Sequence, residues 1–170
     1  ASTYGIEYVD QNGDKQGCII CHSSIGSIER WIYAVLEDAF KRKIHSFPLW
    51  LAPTQVRIIP VNDNEKVLER CNDVFSKIAN AKIRADIDDT PESLGKRIRN
   101  AEKEWIPYII VIGERDLDKK EYQIRMREKK KQEAKSIDGL IKEIELKTKN
   151  MPKRRLPLPH LVSKRPKFFG

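Results

Sequence analysis

Apolar residues recur along this chain at several spacings, and each spacing predicts a different element. From about Ser27 to Lys43, Ile28, Trp31, Ile32, Val35, Leu36, Ala39 and Phe40 fall on one stripe of an amphipathic helix. Before it, IEYVD (6–10) and GCIICH (17–22) flank Asn12-Gly13, a dipeptide that tolerates positive φ and so predicts a β-hairpin. A hairpin and one helix cannot bury that stripe by themselves. The stretch is expected to need a partner surface, and a chain opening at Ala1 without methionine is expected to come from something longer.

After a connector punctuated by Pro48 and Pro53, strand and helix patterns alternate. QVRIIPV (55–61) predicts a strand, 65–80 a helix with Leu68, Cys71, Val74, Phe75 and Ile78 inward, and IRADID (83–88) a second strand. Residues 91–104 predict a helix with Thr90 as N-cap and Pro91 at its first position. PYIIVIG (107–113) is a continuous apolar run of the kind buried on both faces of a sheet. Two strand–helix–strand units imply right-handed crossovers and a parallel three-stranded core. EYQIRMR (121–127) alternates, with Tyr122, Ile124 and Met126 on one face, and its short preceding loop predicts antiparallel pairing. A last helix begins near Ser136 and turns Ile137, Leu140, Ile141 and Ile144 inward.

Composition adds a charge asymmetry. The 170 residues carry a net charge of +8 with 39% hydrophobic residues, a basic globular chain. Residues 151–170 hold six basic residues, no acidic one and four prolines, so an extended tail along a surface, this domain's or an RNA's, is expected. No stretch approaches the ~18 apolar residues of a membrane span. Three cysteines without a visible export leader argue for a reducing compartment, and the cytoplasm is expected.

Few motifs carry chemistry. Cys18-Ile-Ile-Cys21-His22 spells a haem-attachment pattern, but in a strand an odd spacing puts the two thiols on opposite faces. Strand cysteines, one of them packed inward, or a zinc ligand completed from elsewhere remain as readings. On helix 91–104, Lys96, Arg99 and Lys103 lie opposite the packing face, as either a solvated face or a row of phosphate contacts beside Gly95. Arg125 and Arg127 stand on the polar face of their strand, as edge gatekeepers or as planar forks for a base edge or phosphate. Asp86, Asp88 and Asp89 lack a calcium-loop context and are expected to end a strand and lend negative charge to a helix N-terminus. Residues 50–150 contain no P-loop and no Ser-His-Asp set.

Three blocks, WLAPTQV (50–56), SLGKRIRNAE (93–102) and PYIIVIG (107–113), resemble the anticodon-binding domain of class II aminoacyl-tRNA synthetases, most closely the archaeal type of threonyl-tRNA synthetase. Gly26-Ser27-Ile28-Glu29-Arg30 resembles the third class II signature motif. The resemblance implies an α/β, three-layer anticodon-binding domain over 48–150, with a mixed, mostly parallel five-stranded sheet and flanking helices. It implies a remnant of the catalytic domain over 1–47, with the basic tail at 151–170.

It further implies a parent that ligates threonine to tRNA with ATP, uses zinc and forms a homodimer. The partners it implies are the rest of that catalytic domain and the tRNA(Thr) anticodon stem-loop. Arg30 matches the arginine that contacts ATP phosphates. The first two signature motifs are absent from these 170 residues, so the chain alone is expected to form no adenylate. Arg125 matches the family's base-reading arginine and Asp116 its acidic partner. Beside Glu92, Pro91 stands where bacterial members have asparagine. The family's zinc histidine falls at the offset of Cys21, with His22 one position on: a shifted histidine, a substituting Cys21 or a decayed site. Decay suits an alternative, an editing subunit that hydrolyses mischarged tRNA. A noncatalytic accessory protein on the same fold is a third reading.

Overall fold

The structure, a computed structural model, describes residues 5–17 and 26–166. Cys18, Cys21 and His22 lie outside the described residues, and with them the haem-like and zinc readings. The chain divides into two compact units, residues 1–37 and 38–170, ahead of the boundary expected at 47–48 and with the tail inside the second unit.

In the first unit, β1 (Glu7–Val9) pairs antiparallel with β2 (Lys15–Gly17). The turn is longer than the Asn-Gly pair alone predicts. The Asp10 carboxylate accepts from the backbone N–H of Asn12 and Asp14 at 2.9 and 3.0 Å, and Gly13 takes φ +85°. Helix α1 (Ile28–Lys41) follows. Of its apolar stripe only Ala39 is buried, while Ile28 is 72% and Ile32 55% exposed.

The second unit is built on a five-stranded sheet. Its strands are β3 (Val56–Pro60), β4 (Ala85–Ile87), β5 (Tyr108–Ile112), β6 (Glu121–Met126) and β7 (Lys131–Ser136). They lie in the order β4-β3-β5-β6-β7. β3 pairs in parallel with β4 and β5, while β5–β6 and β6–β7 are antiparallel, so the sheet is mixed and β6 alone runs against the rest.

Helices cover both faces. On one face α2 (Glu65–Asn80) and α4 (Ile137–Lys147) bury Val67, Cys71, Val74, Ile78, Ile137, Leu140 and Ile144 against Ile58, Ile110, Tyr122 and Ile124. Val67 takes the inward place, and Leu68 and Phe75 flank it half-buried. Cys71 is buried and free, and burial pushes its thiol up to about 12, which removes it as a nucleophile. On the other face α3 (Leu94–Lys103) packs Ala101 on Ile59 and Ile109. β3 and β5 lie under α3 and leave the polar side of β6 and β7 open.

Helix α3 starts later than expected. Ser93 caps it through the Lys96 N–H at 3.4 Å, while Thr90 is bonded to the Asp88 carboxylate. The Thr90 N–H and hydroxyl, bonded to the Asp88 carboxylate at 3.2 and 2.6 Å, hold 88–90 out of helical conformation, and the helix starts beyond Pro91. Asp86 does not reach a helix end at all: it is 0% exposed and pairs with Arg57.

The tail lies on this domain. The Ile87 N–H donates to the His160 carbonyl at 2.8 Å, and Leu161 bridges Ile87 in parallel beside the β4 edge. His160 stacks on Phe75 at 4.8 Å, and Asp89 accepts from the Ser163 N–H and hydroxyl at 2.8 and 2.5 Å. No helix among the described residues is long and apolar enough to cross a membrane.

Candidate nucleic-acid interface

Strand alternation decides where Arg125 goes. Tyr122, Ile124 and Met126 take the α2–α4 side of β6, so Arg125 stands on the opposite side, which α3 leaves uncovered. Its side chain is 40% exposed. Register places it opposite Ile109 on β5 and Gln132 on β7. With its amide oxygen turned to Arg125, Gln132 accepts from Nε and Nη2 at 2.9 Å each. Glu102, in the last turn of α3, brings its carboxylate to 3.6 Å from Arg125 Nη1.

These three side chains line a concavity of about 360 Å³, with Ile106, Ile109 and Ile44 as its apolar part and Lys130 and Lys131 at its edge. A hollow in which polar and charged groups converge over an apolar patch suits a flat heteroaromatic ring. Arg127 holds one wall. Its Nε donates to the His45 carbonyl and its Nη1 to the Glu102 carbonyl, each at 2.6 Å, and its guanidinium lies 6.0 Å from the Trp105 ring. Burial lowers its pKa below the ordinary arginine value.

The other expected residues are spread out. Lys96 and Arg99 are exposed on α3, with Lys96 paired to Glu92 at 2.8 Å. Asp116 sits beyond the C-terminal end of β5, its carboxylate accepting from the Gly113 N–H at 3.1 Å and from Lys119 at 2.9 Å. A Cβ on Gly113 would meet Val61 at 3.0 Å, which fits glycine at this crowded strand end. Arg125 faces Ile109 near the start of the same strand, so at least three residues, about 10 Å, separate the two along β5. The structure therefore does not bring Asp116 and Arg125 together; the acid beside Arg125 is Glu102. Arg30 lies on α1 in the first unit.

Sequence reasoning missed Gln132, Glu102 and Arg97. Nothing local marks KQEAKS as a strand, and Glu102 reads as one more charge on a helix. Arg97 is buried and donates to the Asp88 carbonyl at 3.0 Å. Among the described residues no cluster of three or more His, Cys, Asp or Glu could hold a metal ion.

A mixed sheet with helices on both faces, an arginine fork at a ring-sized hollow and cations around it define an α/β RNA-binding domain. The family described as the anticodon binding domain matches residues 55–147, and the chain belongs to it. It is 48% identical over 99% of its length to the threonine–tRNA ligase of Methanosphaera stadtmanae, and 47% identical over its full length to that of Pyrococcus furiosus. The chain spans 28% of the length of each of these relatives. Among solved structures it resembles the RNA-binding domain of threonyl-tRNA synthetase from Cryptosporidium parvum, with a TM-score of 0.61 and 25% identity, over 77% of this chain and 30% of that one.

Proposed function

We propose that this chain is the anticodon-reading portion of a threonine–tRNA ligase. In its full length such an enzyme ligates threonine to tRNA with ATP, and the reading carries with it a homodimeric, cytoplasmic parent. The observation that carries the anticodon role is Arg125, a half-exposed guanidinium fixed at the mouth of the hollow.

Threonine codons are ACN, so every threonine anticodon has guanine in the middle. Guanine O6 and N7 are paired acceptors that a guanidinium fork meets bidentately. Arg125 reads that base, Arg127 holds the wall behind it, and Lys96 and Arg99 meet phosphates without sequence preference. Asp116 and Glu92, at the C-terminal edge of the parallel strands, serve the neighbouring base.

The test is binding of the wild type and Arg125→Lys to two anticodon stem-loops that differ only in a middle guanine or adenine. Lysine keeps the charge and loses the fork. The expected loss is about 1–3 kcal/mol on guanine and little on adenine. Equal losses on both would reduce Arg125 to a phosphate contact.

A further inference from the structure

We propose that the C-terminal tail and the connector before β3 form a second RNA site, which takes unpaired nucleotides without regard to sequence. Bases lie against Trp50 and against the stacked pair Phe75 and His160, while Arg84, Arg154 and Arg155 meet the phosphates. The proposal rests on the RNA-binding role above but not on the hollow at Arg125, since β6 is three places from β4 in the sheet.

Two hollows adjoin along the tail. One, of about 470 Å³, is bounded by Trp50, Leu51 and Pro53 of the connector and by Arg84 just before β4. The other, of about 370 Å³, opens on Phe75 of α2 and on His160, whose rings stack at 4.8 Å. Arg155, Leu156 and Leu158 line both. No Asp or Glu lines either hollow, whereas three arginines do.

That positive charge is uncompensated. Arg84 is only 9% exposed, yet its partners are carbonyls: Nε donates to Ala52 at 2.9 Å and Nη2 to Trp50 at 2.6 Å. It pairs with no carboxylate among the described residues, and burial lowers its pKa below the ordinary arginine value. The other deeply buried arginine of this sheet, Arg57, has two carboxylates. Arg154 and Arg155 are exposed and form no ion pair among the described residues. A buried guanidinium without a counter-charge favours an anion, and three arginines along one trough favour a polyanion.

Single-stranded RNA has the matching chemistry. Its phosphates meet arginine forks, and its bases stack on aromatic rings whatever their sequence. An acidic peptide would satisfy the arginines but leave the rings and leucines without a flat partner. The tail is also in place before a ligand arrives. Lys153 pairs with Glu145 at 2.9 Å at one end, and the Ile87 N–H holds the His160 carbonyl at the other. Between them Pro157 and Pro159 fix φ, so Arg154 and Arg155 are presented on an ordered, extended backbone.

The experiment measures binding of the whole 170-residue chain to labelled hexauridylate, which has no guanine for Arg125 to read, and to an abasic hexamer with the same phosphates. The double variant Arg154→Ala, Arg155→Ala is expected to lose about tenfold on both and to lower the salt slope by roughly 1–2. Trp50→Leu is expected to lose about tenfold on hexauridylate and nothing on the abasic hexamer, and Trp50→Phe to bind as the wild type does. Arg125→Lys is expected to leave hexauridylate binding unchanged. Should Trp50→Leu fail to fold, the comparison of the two hexamers on wild type still reads the base contribution. If wild type binds both hexamers alike, the trough is a charged surface without a base platform and the proposal falls. It falls as well if uridine monophosphate binds as tightly as the hexamer, because the hollows then hold one free nucleotide. If the arginine and tryptophan variants are silent while Arg125→Lys still weakens the anticodon stem-loop, this site falls and the anticodon role stands; the reverse result removes the anticodon role and keeps this site.

Discussion

Arg57 and Asp86 face each other across the parallel pair β3–β4, and Arg57 Nε and Nη2 donate to the two Asp86 carboxylate oxygens at 2.9 Å each. Burial works against the Arg57 charge, but the hydrogen bonds of Asp86 and Glu104 more than reverse it and raise its pKa above the ordinary arginine value. Asp86 also accepts from Thr54 at 3.2 Å and lies 2.8 Å from Arg165 Nη2. Asp86→Ala leaves Arg57 without its buried counter-charge and is expected to cost about 3–5 kcal/mol. Glu104→Ala removes a half-exposed partner and is expected to cost under about 1 kcal/mol. Urea unfolding of both variants checks the ranking, and equal losses overturn it.

Glu143 predicts an acid limb of stability. Burial opposes its charge, but hydrogen bonds from Lys135, Lys147 and Tyr108 outweigh that and hold the carboxyl at about 2, below its ordinary 4.5. A carboxyl depressed in the folded state stabilises above its unfolded pKa and loses that contribution as pH falls from 4.5 toward 2. Glu143→Gln is therefore expected to be less stable than wild type by about 3 kcal/mol at pH 7 and to converge with it near pH 2. Parallel stability curves for the two proteins across that window would show that Glu143 is not the group responsible.

The tail divides into anchors and free cations. Arg165 reaches the buried Asp86, and Ser163 bonds Asp89, whereas Arg154 and Arg155 are exposed. The double change of Arg154 and Arg155 to alanine is expected to leave thermal stability unchanged and to lower the salt slope of RNA binding by roughly 1–2. Arg165→Ala is expected to lower the melting temperature instead. An unchanged salt slope in the double variant removes those arginines from the RNA interface.

Trp105 holds φ +57° just beyond α3, where its ring packs on Phe40 at 5.0 Å and Phe47 at 5.2 Å. Glycine at that position relieves roughly 1 kcal/mol of backbone strain but removes the ring. Trp105→Gly is expected to be destabilised by about 1–3 kcal/mol, measured by thermal unfolding. A net gain in stability would mean that the strain outweighs the packing.

Elements whose burial is periodic could be read from the order of residues alone. Helices α2 and α4, the latter from near Ser136, the continuous apolar strand β5 and the alternation of β6 are legible, because a side chain's face follows from its position along a helix or strand, while the turn at Asn12-Gly13 is legible from its residue types, its second strand lying at Lys15–Gly17 rather than from residue 17 on. The resemblance to the anticodon-binding domain also points to Arg125. Tertiary structure alone decided the rest. β7, KQEAKS, is a polar edge strand, stabilised by pairing with β6 rather than by burial of its own, so no apolar pattern announces it. With β7 unseen, Gln132 could not be placed beside Arg125, nor could Glu102 be singled out from the other charges of α3. The Arg57–Asp86 pair depends on the register between strands 29 positions apart in the chain, and the tail's path on a bond from Ile87 to the His160 carbonyl, beyond Pro152, Pro157 and Pro159. Local pattern reports which face of an element is buried; which distant segment covers or pairs with it is settled only when the chain closes on itself and every buried polar group must find a partner.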